Sequence, residues 1–302
     1  MLDRAEFLQR RKSGIGGSDV AAVMGVSPWK TPFELYRDKT SDFIDVEESD
    51  VLHFGNVLEN VIAAEFARRN DRKVQRRNKM YHHSKHPELI ANIDRYILGG
   101  GILECKTCSA WASGKFGESG DDVPDQYLLQ CQHYMNVTGI HECTLAVLIG
   151  GNEYRQFEIP YHKSLAEYAA AKCVDFWQSY VVPRIPPPPT VKDNLAEYYA
   201  VQCNAKITAN PEVLDLIEEL KKLRSEKKRN ELRQEELATA IKVFAKENEL
   251  ILDPAGGVVA TWKRGKDRAD VDYKSLCADL GISEETVNRY TKYSVNRPLK
   301  IK

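Results

Sequence analysis

Asp94, Glu104 and Lys106 are the residues of this chain whose types and spacing most directly suggest chemistry. They lie in the stretch Ala91-Asn-Ile-Asp94-Arg-Tyr-Ile-Leu-Gly99-Gly-Gly-Ile-Leu-Glu104-Cys-Lys106-Thr. The glycine triplet 99–101 separates two short apolar runs and predicts a hairpin over residues 88–107. Side chains alternate along a strand, so Glu104 and Lys106 share one face, and Leu103 and Cys105 take the other. Asp94 falls on the partner strand, near enough to join them. Two carboxylates and an ammonium converging at a strand end suit a hard cation such as Mg²⁺, which takes oxygen ligands. The lysine beside them would hold an attacking water or a phosphate.

The elements that must position these residues are legible in outline. Residues 51–70 read as an amphipathic helix with Leu58, Ile62 and Phe66 along its apolar stripe and Glu59 beside it. Residues 125–137 read as a helix with Gln126, Gln130 and Tyr134 on one face at i, i+4 and i+8. His133 faces elsewhere and reads as structural. A short helix begins near Asp19, with Ser18 or Asp19 as its cap and glycines before it that let backbone amides approach a ligand. Thr31-Pro32 opens a further helix, Phe33 to Lys39, with proline at its first position. Glu142 to Ile149 and Glu153 to Ile159 predict paired strands, and Leu165 to Val182 a helix that stops at Pro183.

Four blocks occur in order: Ile15-Gly16-Gly17-Ser18-Asp19, Gly55-x-x-x-Glu59, Asp94 with Glu104-x-Lys106, and Gln130-x-x-x-Tyr134. Together they resemble the YqaJ family of viral recombinase exonucleases. That family is related to lambda exonuclease and carries the PD-(D/E)xK nuclease core. The resemblance spans roughly residues 5–180. It implies an α/β fold with a central mixed β-sheet flanked by helices. It also implies a Mg²⁺-dependent double-stranded DNA exonuclease, 5′ to 3′, that leaves 3′ single-stranded tails for phage-type homologous recombination. A two-metal site is implied, with Mn²⁺ as a substitute for Mg²⁺. Asp94 and Glu104 would be metal ligands, joined by the backbone carbonyl of Cys105. Glu59 resembles the family's outer acidic residue, set against the plainer reading of a solvated helix glutamate. Gln130 would hydrogen-bond the scissile strand or a water, with Tyr134 either supporting it or only packing. Arg11 and Ser18, seven residues apart, match the pair that holds a terminal 5′-phosphate, although Ser18 also reads as a simple helix cap. A single-strand annealing protein and a ring-shaped homotrimer are the implied partners. Two rivals remain open: another nuclease of the same core, of CRISPR-adaptation or structure-specific endonuclease type, and a non-catalytic DNA-binding protein.

Composition sets the frame. The chain has 302 residues, 42% hydrophobic and 29% charged, with a net charge of −1, ordinary for a globular protein. A protein that coats DNA through overall basicity is excluded. A local basic stretch at 68–86 holds Arg68, Arg69, Arg72, Lys73, Arg76, Arg77, Lys79 and Lys85 against Asp71, and such clusters neutralise phosphates or form a solvated surface. Seven scattered cysteines predict reduced thiols, and Cys105 and Cys108 lack the second pair of a zinc ribbon. No apolar run approaches the ~20 residues of a membrane span, and no signal-peptide core is visible, so a cytoplasmic location is expected. The prolines at 186–189 predict a linker at 186–190 between a nuclease domain, 1–185, and a helical and β-hairpin extension, 191–302. Within the extension, residues 211–247 predict one long helix or a helical hairpin. Strands are expected at 250–252 and 258–262, with another possible at 297–302.

Overall fold

The structure is a computed structural model that describes residues 4–42, 49–118, 120, 122–199, 206–265, 271–291 and 299. The chain divides into two compact units, Met1–Tyr198 and Tyr199–Lys302.

The first unit opens with α1 (Arg4–Arg11), α2 (Gly17–Val23), α3 (Pro32–Thr40) and α4 (Asp50–Asn70). Short strands follow: β1 (Val74–Gln75), β2 (Tyr81–His82), β3 (Ile90–Ala91) and β4 (Arg95–Ile97). Next come β5 (Gly101–Cys108), α5 (Asp125–Thr138), β6 (Cys143–Ile149), β7 (Glu153–Ile159), α6 (Lys163–Phe176) and α7 (Leu195–Tyr198). The main sheet has the order β1-β4-β5-β6-β7. Only the β5–β6 pairing in it is parallel, and the α5 crossover makes that pairing possible. The expected mixed sheet flanked by helices is the observed fold.

The expected hairpin joins β4 to β5, with Arg95 opposite Leu103 and Tyr96 opposite Ile102. Its turn needs glycine, because Gly99 and Gly100 adopt φ of 107° and 121°, a region closed to side chains by their own Cβ. The two faces of β5 then separate as alternation demands. Leu103 and Cys105 pack with Ile62, Ala63 and Phe66 of α4, together with Ile97 and Ala146. Ile102 joins the larger core on the other side, with Leu129 and Met135 of α5 and Val20 and Ala21 of α2. Glu104 and Lys106 therefore lie on the α5 side of the sheet.

Local signals set the helix ends. The Thr31 hydroxyl accepts the Glu34 amide at 3.1 Å, and the Glu34 carboxylate accepts the Thr31 amide at 2.8 Å, a reciprocal cap before Pro32. Helix α5 stops at Gly139, which takes the left-handed φ of 72°. Helix α6 runs on through a wider turn, Trp177–Val181, towards Pro183.

The start of the expected extension, just after the proline linker, is tied to the first unit. Arg37 pairs with Glu197 at 2.9 Å, the Phe33 and Tyr198 rings lie 4.6 Å apart, and the Lys192 ammonium donates to the Ser27 carbonyl at 3.4 Å. These contacts carry the division between units past the prolines to Tyr198.

The second unit contains α8 (Pro211–Ala245), a hairpin of β8 (Leu250–Leu252) and β9 (Val258–Thr261), then α9 (Tyr273–Asp279) and α10 (Glu284–Tyr290). Of the two forms expected for residues 211–247, the single helix is observed, capped by Asn210 on the Val213 amide at 2.9 Å. The strand considered at 297–302 lies outside the described residues apart from Leu299. Among the described residues no helix is long and apolar enough to cross a membrane.

Candidate active site

The register of the hairpin puts Asp94, one residue before β4, across from Glu104. One Asp94 oxygen, Oδ2, accepts the Cys105 amide at 2.8 Å. Glu104 is 1% exposed. Its Oε1 accepts from the Lys106 ammonium at 2.6 Å and from the Gln130 side-chain amide at 2.6 Å. The same Gln130 nitrogen donates to the Tyr134 hydroxyl at 2.8 Å. The other Glu104 oxygen, Oε2, is buried and has no hydrogen-bond partner. A buried carboxylate oxygen without a protein partner is costly, and a group that completes the site explains it.

The charges agree with that geometry. Burial pushes the Asp94 carboxyl well above its ordinary range, and the neighbouring Glu104 adds to the rise. Burial works against the charge on Lys106, but Glu104 and Asp94 outweigh it and push its ammonium above the usual lysine range. Lys106 is thus a fixed cation and a poor base. Among the described residues Lys106 pairs with Glu104 alone, and the nearby Asp94 carboxyl adds a second acidic group for a cation to neutralise. Among the described residues no three His, Cys, Asp or Glu side chains form a metal-ligand group. The side chains therefore offer two carboxylates, a number that suits Mg²⁺, which keeps waters and substrate oxygens in its shell.

Glu59 does not reach Glu104. It is held by the buried Arg95, whose guanidinium also donates to Asn60 Oδ1 at 2.6 Å and to the Asp94 carbonyl at 2.6 Å. Arg95 links α4 to the Asp94 backbone, a positioning role not foreseen in the sequence. Its position next to Asp94, pointing to the opposite face, was the only signal available.

Arg11 and Ser18 do meet: Arg11 Nη2 donates to the Ser18 hydroxyl at 2.7 Å. Beneath them Asp19 accepts the Lys39 ammonium at 2.7 Å and the Gly16 amide at 3.0 Å. Asp19 thereby caps α2, and Ser18 is left facing outward. Lys39 also donates to the Arg11 carbonyl at 2.9 Å. His133 is buried with Nε2 2.9 Å from the Ile90 carbonyl, the structural role expected of it.

Gly17 joins the two clusters. A Cβ there would stand 2.5 Å from Tyr134 Cε1 and 3.1 Å from Gln130 Cγ. The helix bearing Ser18 thus rests directly on the pair that holds Glu104. Gly55, the other glycine of the motifs, has open space where a Cβ would go. Gly17→Ala should therefore lower stability by about 1–3 kcal/mol through overpacking. Gly55→Ala, inside α4, should raise it by up to ~1 kcal/mol through helix propensity. Thermal melts of the two variants check this, and equal effects of the same sign would contradict it.

Part of the basic stretch is already committed. Arg68 and Arg69 pair with Glu65, Arg72 pairs with Glu142, and Arg77 lies over the Tyr96 ring at 3.5 Å. The cysteines among the described residues are free thiols, and Cys105 turns into the α4 cluster, away from Glu104.

The fold is a mixed five-stranded sheet flanked by helices, and the Asp94 hairpin lies within it. Residues 6–141 match the model of the YqaJ-like viral recombinase domain, the family that the motifs resemble. The uncharacterized protein YqaJ of Bacillus subtilis (strain 168) is 37% identical over 185 residues, 60% of this chain and 57% of the relative. The uncharacterized protein R354 of Acanthamoeba polyphaga mimivirus is 26% identical over 150 residues, 46% of this chain and 27% of the relative. The chain thus spans little more than half of the first relative's length and about a quarter of the second's. Among solved structures, an alkaline exonuclease from Laribacter hongkongensis superposes with a TM-score of 0.50 at 19% identity, covering 60% of this chain and 93% of that one. At that identity the likeness concerns the fold.

Proposed function

We propose that this chain is a Mg²⁺-dependent double-stranded DNA exonuclease, digesting 5′ to 3′ and leaving 3′ single-stranded tails for phage-type recombination. The observation that carries this reading is the buried, unpartnered Glu104 oxygen beside Asp94, with the Lys106 ammonium 2.6 Å from the other Glu104 oxygen. The family match and the exonuclease-type fold support it.

Asp94, Glu104 and the Cys105 carbonyl would hold the cation, with Mn²⁺ as a substitute. Glu59, paired with Arg95, would act from the outer shell, positioning a second ion or the attacking water. A divalent cation there supplies Lewis-acid stabilisation of the charge that builds on a phosphate under attack. Lys106 donates to a phosphate oxygen or orients the incoming water, and its fixed charge keeps it from acting as the base. Gln130 fixes the Glu104 rotamer and, turned towards substrate, donates to the strand being cut. Tyr134, buried, backs Gln130 and supports it from the core. Arg11 and Ser18 offer a guanidinium fork and a hydroxyl to a terminal 5′-phosphate. A single-strand annealing partner, a ring trimer and a cytoplasmic setting rest on the family resemblance alone.

Arg11→Ala should slow digestion of 5′-phosphorylated ends more than of 5′-hydroxyl ends. A charge-assisted contact of ~1.5–3 kcal/mol is lost only in the first case. If Arg11 serves only to anchor α1, both ends slow equally. The function itself is tested with linear duplex labelled at the 5′ or the 3′ end, beside a covalently closed circle. Release of the 5′ label first, with the circle intact, is expected. Cutting of the circle at a comparable rate would point to an endonuclease of the same core.

A further inference from the structure

Trp29 belongs to none of the groups above, and its surroundings point to a ligand. It follows α2 in a loop whose backbone is pinned, because the buried Ser27 hydroxyl accepts the amides of Trp29 at 3.2 Å and Lys30 at 3.1 Å. Despite that anchoring the Trp29 side chain is left in water, 67% exposed. An indole usually buries its large apolar area. On its inner side its ring lies 6.1 Å from that of Tyr127 at 41°. The Tyr127 ring in turn lies 5.7 Å from the Lys106 ammonium and 6.1 Å from the Phe116 ring, which it stacks at 17°. A row of aromatic rings thus leads from the charged centre of the site to an open indole at its rim.

We propose that Trp29 is a stacking platform for the nucleobase of the 5′-terminal nucleotide, held while the scissile phosphate sits beside Lys106 at the cation that Asp94 and Glu104 would hold. This rests on the nuclease reading and adds to it how the substrate end is gripped. Tyr127 neighbours both Lys106 and Trp29, so a terminal nucleotide whose scissile phosphate is at Lys106 brings its base towards this pair of rings. An indole face offers no hydrogen-bond pattern to read a base edge, so the platform accepts all four bases, as an enzyme that consumes any sequence requires. Base–aromatic stacking of this kind is worth roughly 10- to 100-fold in affinity.

The test uses the full chain and duplexes whose 5′-terminal nucleotide either carries a base or is an abasic tetrahydrofuran residue. Binding is measured by anisotropy in Ca²⁺ for wild type, Trp29→Ala and Trp29→Phe. Trp29→Ala should weaken binding of the base-carrying end about 10- to 100-fold and of the abasic end less than about twofold, with Trp29→Phe in between. Equal losses on both ends, or none on either, would overturn the platform while leaving the nuclease reading intact. If wild type neither binds nor digests duplex ends in Mg²⁺, the nuclease reading itself fails, and that outcome is separate from any effect of Trp29.

Discussion

Asp94→Ala and Glu104→Ala should each lower Mg²⁺-dependent DNA cleavage by at least ~1,000-fold, equivalent to about 4 kcal/mol of transition-state stabilisation. Each substitution takes away one of the two carboxylates proposed to hold the cation. The fold should survive both. In Asp94→Asn the amide oxygen still accepts the Cys105 N–H, so the strand end keeps its hydrogen bond. That variant should melt no lower than wild type in chelator, because it removes an acidic group whose ionisation burial and Glu104 oppose. Lys106→Ala should cost at least ~100-fold, the scale for one group that stabilises developing charge. The decisive comparison is turnover beside melting temperature. An inactive variant that has also unfolded says nothing about the site, whereas a folded Asp94→Ala with near-normal turnover would remove the hairpin from the chemistry.

Asp19→Ala should cost about 3–5 kcal/mol of stability, because it strands a buried ammonium on Lys39. Asp19 and Lys39 are both almost fully buried, and their ion pair ties α2 to α3 while Lys39 holds the end of α1. Burial alone would push the Asp19 carboxyl up. The charges of Lys39 and Arg11 and the hydrogen bonds from Lys39 and Gly16 overcome it and hold the group at about 2. This lies below the ~3.9 of an unfolded chain. The folded protein therefore binds a proton here less readily than the unfolded one. The pair's stabilisation is complete above pH ~4 and is lost as pH falls from ~4 towards 2. Acid melts of wild type should show this loss in that window, and Asp19→Asn should flatten it. A variant as sensitive to acid as wild type between pH ~4 and ~2 would show that the pair contributes nothing.

The hairpin was legible in the sequence because its signals are local. Three glycines mark the turn, and two-residue alternation sends Glu104 and Lys106 to one face and Cys105 to the other. The face of α5 that carries Gln130 and Tyr134 was legible for the same reason, at the helical period. Arg95 was not, since its partners Glu59 and Asn60 lie more than thirty residues earlier in the chain. Nothing nearby announces that a strand arginine turns away from the sheet to meet a helix. The Asp19–Lys39 pair was hidden likewise, because an aspartate after glycines reads as a cap, and its second task depends on where α3 lands. The proline run misleads in another way. Its composition reads as an extended spacer, yet the segment after it is gripped by Phe33, Arg37 and Ser27, and only the packed unit shows that. For the long helix α8 the charged centre from Arg224 to Asn230 was ambiguous to the eye. It holds neither glycine nor proline, and the backbone passes through it unbroken.

The central claim is that Asp94 and Glu104 hold a divalent cation that acts on a phosphodiester. It is tested most directly by following wild-type protein on end-labelled linear duplex in Mg²⁺, in Ca²⁺ and in chelator. Hydrolysis in Mg²⁺, binding without hydrolysis in Ca²⁺, whose larger ion and looser shell polarise phosphate less, and no hydrolysis in chelator are the expected results. Undiminished hydrolysis in chelator would contradict the account.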